Sequence, residues 1–193
     1  MIHVDPVPEP EAFKTDARPR ALAWLAGRRH KPRRPRDFWS AFRAELAAGF
    51  HERCGYSAMY IPNGTIDHFI SWGEDPDLAY TWSNYRYAES WINSSKQDLD
   101  SDQLLDPFEV GDDWFEILLP SLQLVATKNV PARYRKRAET MLTRLGLRDD
   151  ERILKQRRAW YRLYCDEKLT LEGLRNLAPL IARAVEKQRA KTK

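Results

Sequence analysis

The sequence predicts an α+β protein, a small ββα unit embedded in a mostly helical domain with C-terminal helices. Three observations carry that prediction. Between residues 54 and 96, short aromatic and partly β-branched pieces such as SAMYI and TIDHF alternate with Cys-Gly and Pro-Asn-Gly turn signals. From Pro131 onward the pattern becomes helical, with Gly146 as a stop. The 193 residues, 42% hydrophobic and 11% aromatic, suffice for one well-cored unit with appendages.

Taken in order, residues 1–20 are rich in proline and poor in large apolar side chains, which predicts a loose or surface-hugging lead. A helix follows over ALAWLAG, ended by Gly27. The run GRRHKPRRPR, residues 27–36, holds seven potential cations and no acid, so it is expected to stay extended and solvated. Asp37 is placed to cap a helix reaching about Phe50, with Phe38, Phe42, Leu46 and Phe50 on one buried face.

A strand or turn over SAMYI leads to a strand ending near His68. SWGEDPD reads as a surface loop, AYTWSNYRYA as a second strand, and ESWINSSKQ as a short helix. DDWFEILLP and LQLVATKNV are two further strand-like pieces. Helices are expected over about 132–145, 149–165 and 170–190. The chain thus divides into an arm (1–36), a core (37–130) and a helical extension (131–193).

Composition narrows the function classes. No stretch approaches the roughly 18 consecutive apolar residues that span a bilayer, and the acidic, proline-rich start lacks the pattern of a signal peptide. The expectation is a cytoplasmic chain with no membrane contact. Two cysteines, Cys54 and Cys165, cannot make a disulfide framework and neither belongs to a CxxC pair. A net charge of +4 favours a polyanionic partner only mildly, but the basic run offers Arg33 and Arg34 to phosphates.

The chemistry-bearing residues gather in 66–96. Asp67-His68 lies at the end of the first predicted strand. Asn84 follows on the second (84 − 68 = 16), and Asn93 and Lys96 on the helix (93 − 84 = 9). Imidazole, with an ordinary pKa of about 6.5, suits proton removal near neutrality. Carboxylate and amide oxygens suit a hard divalent cation. Lys96, three residues beyond Asn93, shares its helical face, and Glu89, four residues before Asn93, is placed beside the same site. One difficulty is visible: consecutive strand residues point to opposite faces, so the backbone is expected to bend or bulge at Asp67-His68.

In order and spacing, IDHF, WSNYR and INSSK resemble the HNH nucleases of the ββα-metal, or His-Me finger, group. The resemblance covers roughly residues 54–110, where LLDPFE is also similar to a stretch that follows the motif in many bacterial members. It implies a nuclease in which His68 is the general base and Asp67 and Asn93 hold one Mg2+ or Mn2+ ion. Asn84 would orient the catalytic loop, with Lys96 and Arg86 touching nucleic acid; Arg33 and Arg34 of the basic run are further candidate contacts, and the helical spacing puts Glu89 behind the metal. DNA is the implied substrate, with RNA as the other candidate.

Where many relatives carry paired zinc-binding cysteines, this chain has Cys54 with Ser57 and Glu89 with Ile92, so no structural zinc is expected. Small proteins of this kind also resemble effector subunits of bacterial antiphage or restriction systems, some of which work with an ATPase or other defence-system partner. The alternative is a non-catalytic nucleic-acid-binding or scaffold subunit on an HNH-like fold. Its phosphate contacts would come from Arg133, Arg135, Lys136, Arg137, Lys155, Arg157 and Arg158.

Overall fold

The computed structural model describes residues 1–27, 34–96 and 99–191, and it mixes helices with two separate two-stranded antiparallel sheets. The proline-rich lead is more deeply seated than its composition suggests. Met1 and Phe13 are fully buried, and Phe13 meets Phe42, Trp82 and Tyr85 at ring distances of 5.2, 5.2 and 5.8 Å. The Val4 N–H donates to the Pro107 carbonyl, and the indole N–H of Trp82 donates to that of Val7. A run with few apolar residues is anchored by one large ring and by backbone groups that proline leaves free to pair outward.

A π-helical turn, Phe13–Ala17, runs into α1, Arg18–Ala26, and Gly27 follows as its C-cap. Asp37 lies ahead of the helix start instead of at its N-cap, which is Trp39, but its Oδ1 still accepts from the N–H groups of Trp39 and Ser40 at 3.1 and 2.9 Å. A 3-10 turn precedes α2, Arg43–Gly49. Leu46 and Phe50 of the expected stripe are fully buried, whereas Phe38 and Phe42 are half-buried.

The first sheet pairs β1, Thr65–His68, with β2, Tyr85–Ala88, and α3, Ser90–Ser95, packs beside β1. Both strands are short. SAMYI forms only an isolated bridge between Arg53 and Tyr60, and residues 82–84 make a 3-10 turn, so AYTWSNYRYA is a strand only at its end. The tight chain reversal at Gly64 lets the Tyr87 ring approach: a Cβ there would lie 2.5 Å from that ring.

The second sheet pairs β3, Phe115–Leu118, with β4, Gln123–Ala126. Then come α4, Arg135–Arg144, and α5, Glu151–Cys165. Gly146 takes the left-handed backbone (φ 62°) that ends a helix, as its position predicted. The single helix expected over 170–190 is two, α6, Leu171–Leu177, and α7, Pro179–Lys191. Pro179 bars Ala178 from helical geometry (φ −150°, ψ 71°). One buried apolar cluster joins Met1 to Val185, uniting the lead, the first sheet and α7.

Arg157 is buried at 1% exposure, so it is no phosphate contact. Its guanidinium donates to the carbonyls of Leu122, Arg148 and Leu147, tying α5 to β4 and to the end of α4. Burial holds its pKa down to about 10, so it stays charged at neutral pH. Arg157→Ala would leave buried carbonyls bare, and the expected loss is about 2–4 kcal/mol. Urea unfolding of that variant measures it.

Candidate active site

A cleft of about 600 Å³ lies along β1 and is lined by Thr65, Ile66, Asp67 and His68 together with Asn93, Ser94 and Lys96. Arg34, Trp39, Arg43 and Trp72 line it as well. The expected bend at Asp67-His68 is absent: register runs unbroken from Thr65↔Ala88 to His68↔Tyr85. β1 pairs with β2, and its consecutive residues Thr65, Ile66, Asp67 and His68 all line the one cleft. The alternation of a strand therefore does not separate these two residues.

His68 is held in one orientation. Its ring meets Trp39, Tyr85 and Trp72 edge-on at centroid distances of 4.6, 4.9 and 5.0 Å. Nε2 lies 2.9 Å from the Ala79 carbonyl, which also accepts the Tyr85 hydroxyl at 2.7 Å. A carbonyl only accepts, so Nε2 carries the proton and Nδ1 keeps its lone pair. Nδ1 takes no hydrogen bond from any described residue. Burial, the largest influence, holds the His68 pKa below its ordinary 6.5 against the opposing pull of the Ala79 bond and Asp67. The ring is neutral at pH 7.

Asp67, on the other face, is 3% exposed and fully partnered. The Lys96 ammonium donates to both carboxylate oxygens at 2.8 Å and to the His68 carbonyl, and the Tyr56 hydroxyl donates to Oδ2. Lys96 reaches them because it ends α3 with helical backbone beside β1. Asn93, one turn earlier, gives its Nδ2 to Thr65 Oγ1 at 3.2 Å, and its Oδ1 takes no hydrogen bond from any described residue.

Asn84 closes the loop after β1. Its Oδ1 accepts the Ile70 N–H at 2.8 Å, and its Nδ2 donates to the carbonyls of Ile70 and Leu78. That loop carries Trp72 and the Ala79 carbonyl, so Asn84 fixes the groups that fix His68.

Other expected contacts fall elsewhere. Arg86 is buried, clamped by Asp106, bonded to the Ser83 and Tyr85 carbonyls and stacked on Phe108, so it is closed to phosphate. This pair explains the acid in LLDPFE. Lys96 meets Asp67 instead of solvent. Glu89 does not line the cleft: it is the N-cap of α3, its carbonyl accepting the Asn93 N–H at 3.0 Å, and its own backbone is extended instead of helical. Its N–H meets Cys54 Sγ at 3.4 Å, and burial pushes its carboxyl pKa up. Arg34 stands exposed at the cleft rim, while Arg33 lies outside the described residues.

Sequence reasoning missed Tyr56, Trp39 and Arg43 as residues of the site. Only Tyr56 carried a signal, since a buried phenol needs a partner for its hydroxyl.

No family model matches the chain, and no curated protein sequence matches it. Among the described residues no helix is long and apolar enough to cross a membrane. Among them, too, no three His, Cys, Asp or Glu side chains cluster to hold an ion. The donor set that does line the cleft, the Asp67 carboxylate and the Asn93 amide oxygen, is of the hard-oxygen kind that Mg2+ accepts, since that ion needs only one or two protein ligands. The residues fit such an ion in chemistry, with the Lys96 ammonium already on one of them.

Proposed function

We propose that this protein is a metal-dependent HNH-type endonuclease that hydrolyses phosphodiester bonds in DNA. The observation that carries the reading is His68 in a cleft shared with Asp67, Asn93 and Lys96, with Nε2 on the Ala79 carbonyl and Nδ1 taking no hydrogen bond from any described residue. His68 Nδ1 takes a proton from water, the resulting hydroxide oxygen attacks phosphorus, and the 3′-oxygen departs. The Ala79 carbonyl stabilises the imidazolium through the Nε2 proton. Asp67 and Asn93 would hold a Mg2+ or Mn2+ ion, which supplies Lewis-acid relief of the charge that builds on the phosphate and the leaving oxygen. Arg34 and Arg43 at the rim draw in flanking phosphates. On the sequence resemblance, the same reading extends to a nuclease effector of an antiphage defence system, with an ATPase or similar partner.

Incubation with supercoiled plasmid, with Mg2+ and with a chelator, tests this. Nicked or linear product that requires Mg2+ is expected, and an intact plasmid in both contradicts it. A second reading, a non-catalytic nucleic-acid-binding scaffold, is favoured by the internally satisfied Asp67–Lys96 pair. It predicts a retarded plasmid in gels with no cut in either condition.

The pH dependence has a definite sign. Protonation destroys the base, and burial lowers the pKa at which that happens, so the acid limb of kcat/KM should fall below pH 6.5. The Lys96 charge, and any cation on Asp67, push the same way. A limb centred above neutrality contradicts the assignment.

A further inference from the structure

We propose that Lys96 is an exchangeable counter-ion on Asp67, so that a divalent ion and a substrate phosphate bind cooperatively through the displacement of one ammonium group. This deepens the nuclease reading and rests on it. The geometry leaves little alternative for an ion seeking Asp67. Both carboxylate oxygens face Nζ at 2.8 Å, and Oδ2 also accepts from Tyr56. A Mg2+ or Mn2+ ion would sit about 2.1 Å from one of those oxygens, within a few ångström of the ammonium, where two positive charges repel strongly at a buried site.

Lys96 must therefore leave as the ion enters. Its three donors, all used by Asp67 and the His68 carbonyl, then need acceptors. In the free protein the other side-chain acceptors among the described residues that line the cleft are the neutral oxygens of Ser40, Thr65, Ser71, Asn93 and Ser94, with Asp37 as a further carboxylate. A phosphodiester in the cleft supplies oxygens of the right charge. The ion vacates Lys96 for the phosphate, and the phosphate makes room for the ion. By reciprocity, each raises the affinity of the other by the same factor.

The test measures Mn2+ bound to the full chain by electron paramagnetic resonance, in a His68→Ala background that stops turnover. Binding is read with and without a short DNA duplex, after subtracting Mn2+ bound by the duplex alone. The expected result is weak binding that tightens about tenfold or more with DNA. Lys96→Gln, its fold checked by thermal unfolding, should bind Mn2+ about tenfold more tightly without DNA and lose most of the coupling. Because the coupling is also read on the chain that keeps Lys96, the test holds if the Gln variant fails to fold.

Mn2+ binding that Asn93→Ala abolishes, yet that neither DNA nor Lys96→Gln alters, overturns the counter-ion role and leaves the nuclease reading standing. Plasmid cleavage in chelator, with no Mn2+ bound by either chain, overturns the exchange and the metal dependence together.

Discussion

Asp67→Ala is expected to destabilise the protein by about 3–5 kcal/mol, because it removes one partner of a buried ion pair and strands the other. Both side chains are almost sealed from water, at 3% and 5% exposure, so solvent does little to screen the loss. The Lys96 ammonium would lose two of its three acceptors, and the Tyr56 hydroxyl its only one. Burial and the neighbouring carboxylate already hold the Tyr56 phenol in its protonated, donating form by raising its pKa well above the ordinary range. Urea unfolding of Asp67→Ala, Lys96→Ala and the double variant forms a cycle that isolates the pair. The double variant should be less harmful than the two single losses summed. Additive losses, or a single loss under about 1 kcal/mol, would mean that the pair does not hold α3 against β1.

His68→Ala is expected to lower single-turnover DNA cleavage by about 10²–10⁴-fold, the usual contribution of a positioned general base. On the nuclease reading Nδ1 would meet the attacking water and not the phosphate, so binding should survive and kcat should fall while KM changes little. The substitution also empties a space framed by Trp39, Trp72 and Tyr85, so circular dichroism must confirm that the fold is retained. Undiminished cleavage in a folded His68→Ala chain would remove His68 from the mechanism.

What the sequence reveals here is mostly local. The order strand, strand, helix across residues 65–95 follows from turn chemistry and apolar patterning, both of which act over a few residues. Asp37 marks the approach to a helix and Gly146 the end of one, because side-chain acceptance of backbone N–H groups and left-handed backbone are properties of single positions. The partners of the charged groups were not legible. Asp106 on Arg86, Asp67 on Lys96 and three carbonyls on Arg157 each join residues distant in sequence, and no spacing rule announces them. Without that pairing, buried cations read as solvent-facing phosphate contacts.

Two errors came from extending a regular rule one residue too far. Helical spacing placed Glu89 beside Asn93, but the helix starts after it. Strand alternation demanded a bend between Asp67 and His68, but the register is unbroken and both residues line one cleft. The break at Pro179 was predictable from the residue itself, since proline excludes helical backbone from its predecessor.

The central claim is that His68 presents a bare Nδ1 to the cleft because Ala79 holds the proton on Nε2. Nitrogen NMR of histidine-labelled protein at neutral pH reads this directly. A neutral ring with Nε2 protonated and Nδ1 unprotonated is the predicted result. An Nδ1-protonated tautomer, or a fully protonated ring, would contradict it.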